Sequence, residues 1–386
     1  MEHRPFGRTG LDVSAVGFGC WEVGGGYGQV DEAAFGPAVN RALDLGINCF
    51  DTAEGYGMGA SERALGEALG SRRDEAIVVT KFGMAYREMP NMRDSSPDRV
   101  RVSIEKSLKN LGTDYVDVYM VHWPDRNTPF ADTMGALDEI VREGKVRFVG
   151  LSNFKVDEIE ECMKTRRVDV VQYGYNMFDR RMEQAILPFC EKNGIGYMAY
   201  GSLAYGLLTG SFTEDHDFGS ADWRARQGKM GAIKMFEALF GAESFPNNVR
   251  AVDELKPIAA RYQRSLPQLA LRWAISHPAV STALVGMRNN AEVEDNASAT
   301  EFSIATLPAS SAMVRYSSSI QNVGEVSTPC LAKIASISAR SSGAIVNSTA
   351  DELSSTSALL RIPTSAVLTA GFDVAQRSAS WGRLRW

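Results

Sequence analysis

The chain has 386 residues, 44% of them hydrophobic and 23% charged, with a formal net charge of −6. That length buries a large core, as one big α/β domain or as two smaller ones. The acidic balance argues against nucleic acid or an anionic membrane surface as a partner. A short stretch, RPFGRTGLDVS, opens the chain with turn glycines between brief runs and is expected to form a small hairpin under the main fold. Strand-like apolar runs then alternate with amphipathic segments: residues 13–19, 47–53, 76–82, 116–123, 146–153, 168–176, 195–203 and 282–288. These eight runs are rich in Val and Ile and apolar on both faces, as buried parallel strands are.

Between them lie helical patterns. In 98–112 the residues Val100, Ile104, Leu108 and Leu111 share one face, and 130–144 and 184–194 read alike. Several of these stretches end in Gly, as a helix C-cap does, while Ser61-Glu62 and Ser96-Pro97 resemble helix starts. Eight β-α units in one run suit a (β/α)8 TIM barrel over residues 1–300 better than a doubly wound sheet. The seventh connection, 207–248, is too long for an ordinary loop and reads as a lid over substrate or cofactor. Residues 301–386 form an atypical Ser-rich tail without sustained periodicity, read as poorly ordered and as the product of a shifted reading frame.

The five cysteines are scattered, with no Cys-x-x-Cys pair and no histidine at ligand spacing, which fits reduced thiols and no metal. No apolar run approaches the roughly 18 residues that span a bilayer, and the N-terminus has no signal-peptide core. A cytoplasmic protein is expected. "GFGCWEVGGG" (17–26) imitates a phosphate loop but lacks the G-x-G-x-x-G spacing and the acid that follows it.

In such a barrel, side chains at the C-terminal ends of the strands point into the active site. Asp51 closes the second run, Tyr56 follows it in the loop, Lys81 closes the third and His122 the fourth. Taken singly, each has an ordinary structural reading as a cap, a solvated lysine, a core histidine or a packing ring. Taken together, they make one chemistry. A phenol with a pKa of about 10 is a poor acid at neutral pH, and a neighbouring ammonium favours its ionised form. A carboxylate holds the ammonium in place, and a histidine orients a carbonyl or relays a proton.

The chain resembles the aldo-keto reductases. The likeness rests on Asp51 and Tyr56 in "FDTAEGYG", Lys81 in "VVTKFG" and His122 in "VYMVHWP", the family's catalytic tetrad in its order. It rests further on "GKVRFVGLSNF", "AYGSLAYGLLTG" and "ALVGMRNNAEVEDNA". The resemblance implies reversible reduction of aldehydes or ketones with NADPH, NADH being possible, bound across the barrel mouth without a Rossmann fold. It implies that Ser152, Asn153 and Gln172 hold the nicotinamide amide and that Tyr200 stacks on the ring. Ser202, Leu203, Gly206 and Leu208 would wrap the pyrophosphate, and Gly286 counts among the cofactor contacts. Arg288 would grip the 2′-phosphate, and Asp295 and Asn296 would meet the adenine.

Two departures bear on NADPH: Glu292 stands where relatives often carry Gln or Arg, and Ser211 where many carry Lys or Arg, with Arg224 and Arg226 as compensating cations. NADP still ranks ahead of NAD. Trp21, Tyr86 and Trp123, with Trp223, are the candidate substrate pocket. The implied partner is a small carbonyl or alcohol, and nothing in the sequence sets an oligomeric state. Alternatives are an NADPH-binding regulatory protein akin to channel β subunits and a C-terminally damaged reductase.

Overall fold

The computed structural model describes residues 1–24, 31–84, 93–220, 222–226 and 234–304. Tyr86, the side chain of Arg226 and the tail from 305 onward therefore lie outside the described residues. Strands β1 (His3–Pro5) and β2 (Asp12–Ser14) pair antiparallel as the expected hairpin. Eight parallel strands close into a barrel in the order β10-β3-β4-β5-β6-β7-β8-β9. They are β3 (Val16–Gly19), β4 (Cys49–Asp51), β5 (Ile77–Phe82), β6 (Val116–Val121), β7 (Val146–Ser152), β8 (Val170–Gly174), β9 (Gly196–Tyr200) and β10 (Val280–Gly286). Each of the eight runs contributes one barrel strand.

The run at 13–19 divides between hairpin and barrel. Ser14 explains the break: its hydroxyl donates to the Val16 carbonyl and accepts from the Asn48 backbone N–H, which turns the chain into the barrel. The fully buried Phe6 then packs with Val79, Val118, Val170 and Met198, filling the barrel's lower end. The hairpin is a plug, and the opposite end is the mouth.

Among the described residues ten helices surround or follow the strands: α1 (Glu32–Asp44), α2 (Ala60–Leu69), α3 (Pro97–Leu111), α4 (Phe130–Arg142), α5 (Val156–Met163), α6 (Ile186–Asn193), α7 (Lys234–Phe240), α8 (Phe245–Arg261), α9 (Leu266–Ile275) and α10 (Asn290–Ala297). Helix α3 buries the stripe read from the sequence, Val100, Ile104, Leu108 and Leu111. Ser96 caps its start by accepting from the Arg99 N–H, and Gly112 ends it in the left-handed region at φ 63°. Ser61 does not cap α2. Gly59 precedes the helix, and the Ser61 hydroxyl instead donates to the Cys20 carbonyl and bonds Thr52. A buried hydroxyl satisfied by the neighbouring strand ends is unavailable for a cap.

The long seventh connection carries short 3₁₀ turns at Ala204–Thr209 and Trp223–Arg226 before α7. Its aromatic residues join a second apolar cluster with α8 and α9, in which Trp223, Phe240, Phe245 and Leu269 are buried.

Candidate active site

Strand register decides what meets at the mouth. Asp51 ends β4 opposite Val79 of β5, so Lys81, two residues further along β5, rises above the carboxylate. Lys81 is fully buried and donates to Asp51 Oδ2 at 2.8 Å and to the Thr52 carbonyl at 2.8 Å. Its third donation, at 3.2 Å, reaches the Tyr56 hydroxyl oxygen. The second Asp51 oxygen accepts from Gln172 Nε2 at 2.7 Å, across the barrel from β8. Burial pushes the Asp51 carboxyl above the ordinary carboxylate range, against the pull of the Lys81 ammonium and the Gln172 amide. A buried ammonium with three oxygen partners has no spare freedom. It is aimed.

His122 follows β6, tied by its backbone N–H to the Phe82 carbonyl at 2.9 Å. Its ring stands edge-on to Tyr56, with centroids 5.8 Å apart. Burial first, and the Lys81 charge second, hold its pKa well below the usual imidazole value, so it is neutral at pH 7. Its Nδ1 is buried and has no hydrogen-bond partner among the described residues. All four members of the sequence-derived tetrad thus share one mouth.

The residues assigned to the nicotinamide form a second connected set. Asn153 sits just past β7 in the left-handed region at φ 67°, a conformation asparagine tolerates better than most residues. Its amide nitrogen donates to the His122 carbonyl (3.1 Å) and to Ser152 Oγ (2.9 Å), while its oxygen accepts from the Tyr200 hydroxyl (2.9 Å). Ser152 Oγ in turn donates to the Gln172 carbonyl at 3.0 Å. Burial lifts the Tyr200 phenol to about 12, so Tyr200 remains protonated as the donor to Asn153. Strands β6, β7, β8 and β9 are stitched together at their mouths.

Beyond Tyr200 the chain makes an unusual turn. Ala204, Tyr205 and Gly206 take positive φ in succession, 48°, 55° and 96°, after Leu203. The turn is closed on itself, the Ala204 N–H donating to the Gly201 carbonyl and the Gly206 and Leu208 N–H groups to the Leu203 carbonyl, and non-Gly residues accept this strain where function or packing demands it. The Arg224 guanidinium lies over the turn, donating to the Tyr205 carbonyl at 2.9 Å while held by Asp222. A Cβ on Gly206 would approach that guanidinium to 2.8 Å. The covering cation and the Tyr200 ring are the groups beyond β9 that could hold a phosphate and a nicotinamide.

At the far end the placements are mixed. Ser202 and Leu208 are buried, and the Ser202 hydroxyl donates to Ala199. Arg288 is bound to Glu292, Nε to Oε1 at 3.0 Å and Nη2 to Oε1 at 2.5 Å. Asp295 faces α9, accepting from Ser265 (2.9 Å) and Gln268 (2.7 Å), and Asn296 is buried beside it in sequence. Ser211 bonds Thr209. Trp21 packs near Tyr56 (centroids 6.2 Å) and stacks with Trp223 (6.0 Å), so both belong to the mouth. Trp123 lies beneath the Arg93 guanidinium, 5.2 Å from its ring centre.

Three participants escaped the sequence reading. The Thr52 carbonyl holds Lys81, and Ser61 steadies Thr52 from α2. Glu22 lies with its carboxylate against Gly286, where a Cβ would overlap it. Thr52 directly follows its strand end, whereas Ser61 lies inside α2 and Glu22 in the turn after β3, where position gave no such signal.

A closed parallel barrel with a buried lysine wired between a carboxylate and a phenol defines an oxidoreductase of the (β/α)8 class. The chain belongs to the aldo/keto reductase family, whose model matches residues 15–309. It is 35% identical to aldo-keto reductase YhdN of Bacillus subtilis over 76% of this chain and 87% of that one. It is 33% identical to the NADH-specific methylglyoxal reductase of Escherichia coli, over 78% of this chain and 93% of that one. Among solved structures, a glycerol dehydrogenase of Gluconobacter oxydans matches with a TM-score of 0.69 and 30% identity, over 83% of this chain and 95% of that one. No group of residues arranged to hold a metal occurs among the described residues, and no helix among them is long and apolar enough to cross a membrane.

Proposed function

We propose that this protein reduces aldehydes or ketones to alcohols, reversibly, with Tyr56 as the proton donor and NAD(P)H as the reductant. The observation that carries the reading is Lys81, held by Asp51 at 2.8 Å and donating to the Tyr56 hydroxyl oxygen at 3.2 Å. The nicotinamide, when bound, supplies a hydride to the carbonyl carbon. Tyr56 gives its proton to the carbonyl oxygen and is left as a phenolate, which the Lys81 ammonium stabilises. His122, neutral beside it, hydrogen-bonds the carbonyl oxygen without adding charge. Ser152, Asn153 and Gln172 would fix the carboxamide, Tyr200 the ring face, and the Leu203–Gly206 turn the pyrophosphate. Leu208, Gly286 and Asn296 would line the same groove, with Trp21 and Trp123 at the substrate side.

The expectation of NADPH rests on Arg288, whose guanidinium Glu292 holds. The test is oxidation of reduced dinucleotide in the presence of a nitrobenzaldehyde. Tyr56→Phe should lower kcat by about 10²–10⁴, the usual worth of a general acid, while dinucleotide binding measured by fluorescence survives. A Tyr56→Phe protein with most of its activity would overturn the assignment. A wild-type protein that binds dinucleotide yet turns over no carbonyl compound would point instead to a regulatory role.

A further inference from the structure

Barrel closure pairs β10 with β3, setting Gly286 opposite Gly19. The turn after β3 therefore crosses the end of β10, and Glu22 comes to rest on Gly286, two residues before Arg288. On the other side, Asn289 caps α10 by accepting from the Glu292 N–H. That cap fixes Glu292 one helical turn from Arg288, where it accepts from the Arg288 backbone N–H at 2.8 Å as well as from the guanidinium. Two carboxylates thus attend one guanidinium, and both bear electrostatically on Arg288. With all three ionised, the cluster carries a net negative charge.

This geometry matters for a ligand whose two common forms differ by a single phosphate. A 2′-phosphomonoester must break the Arg288–Glu292 pair and then sit beside the displaced carboxylate. A ribose bearing a free 2′-hydroxyl brings no charge and leaves the Arg288–Glu292 pair intact. The nearby Arg224 is committed to Asp222 and to the Tyr205 carbonyl.

From this arrangement, and resting on the dinucleotide reading above, we infer that Glu292, by holding Arg288, makes the site select the dinucleotide without a 2′-phosphate, NAD(H), over NADP(H). Glu22, against Gly286, adds its charge to the same guanidinium. The selectivity resides in a salt bridge that closes the phosphate grip, while the guanidinium itself is retained.

The experiment is paired titration of the full chain with NADH and NADPH, followed by quenching of protein fluorescence, with no substrate present. The expected result is tighter NADH binding by about tenfold or more, the worth of one charge-assisted contact. Glu292→Gln keeps an acceptor for the Arg288 N–H but frees the guanidinium, and should improve NADPH by a similar factor while leaving NADH within about threefold. Wild-type protein that binds NADPH as tightly as NADH overturns the inference alone. So does a Glu292→Gln protein whose two affinities move together. Failure of both dinucleotides to bind, with the thermal melt intact, removes the reductase reading and this inference with it.

Discussion

The Lys81–Asp51 pair allows stability and catalysis to be separated. Lys81 has no solvent exposure and Asp51 only 4%. Replacing Lys81 by Met leaves the ammonium's volume filled by an apolar chain but strands a buried carboxylate whose remaining side-chain donor is Gln172. Breaking one partner of a buried pair costs about 3–5 kcal/mol, or roughly 5–8 °C in Tm for a domain of this size. The double variant Lys81→Met with Asp51→Asn removes both charges and keeps an oxygen for Gln172, so it should recover most of that loss. It should nevertheless be as inactive as the single variant, because the phenolate has lost its counter-charge. The pH dependence has a definite sign. Burial already raises Asp51 above its unfolded value, and without Lys81 that rise grows, so the single variant is relatively more stable at low pH and loses stability as pH climbs through the folded pKa. Its deficit against wild type should therefore be larger at pH 8 than at pH 5, while the double variant shows no such trend. Guanidinium unfolding at the two pH values measures this. A double variant no more stable than Lys81→Met at pH 8 would refute the argument.

Two further outcomes follow from the same geometry. Burial, opposed by the Arg288 and Arg224 charges and assisted by Glu292, raises the Glu22 carboxyl to about 7, against an ordinary value of 4.5. Asp51 and Lys81 lie beyond Cys20, while Glu62 of α2 is turned to Thr80 and Asn110, and Arg63 to Asn110. A raised carboxyl favours the fold at low pH and loses that contribution as pH rises through about 7. Glu22→Gln should therefore melt higher than wild type at pH 8, with the difference vanishing below the unfolded carboxyl's value of 4.5; equal shifts at pH 8 and pH 4 would count against a titrating Glu22. Asn153→Gly should keep its left-handed backbone but lose the side-chain bonds to His122, Ser152 and Tyr200, each worth about 0.5–1.5 kcal/mol, and should weaken dinucleotide binding. Asn153→Ala should lose about 1–2 kcal/mol more in denaturant unfolding, the cost of that conformation for a Cβ-bearing residue, and equal stability of the two variants would show that the turn is unstrained.

The barrel was legible because its signals are local. Each barrel strand announces itself as a short Val- and Ile-rich run, three of the intervening helices as amphipathic stretches, and such segments in alternation leave few topologies. Boundaries were less legible: the 13–19 run is continuous as a sequence, yet Ser14 and Asn48 cut it in two through side-chain bonds to the backbone. The α2 start misled for a related reason, since Ser61 has a cap's chemistry but spends it on Cys20 and Thr52.

The tetrad was equally legible, because every member sits at or just after a strand end and the fold rule alone converges them. What the sequence could not supply is pairing between loops. Nothing near Gln172 announces a bond to Asp51, 121 positions away, and nothing near Asp295 announces that Ser265 and Gln268 will claim it. The same limit applies to the glycine-rich run at 17–26. Its spacing rightly excludes a Rossmann loop, but only closure of β10 on β3 turns Glu22 within it into a neighbour of Arg288. An arginine read alone promises a phosphate. An arginine read with Glu292 one helical turn on, and with Glu22 across the barrel closure, is already paired.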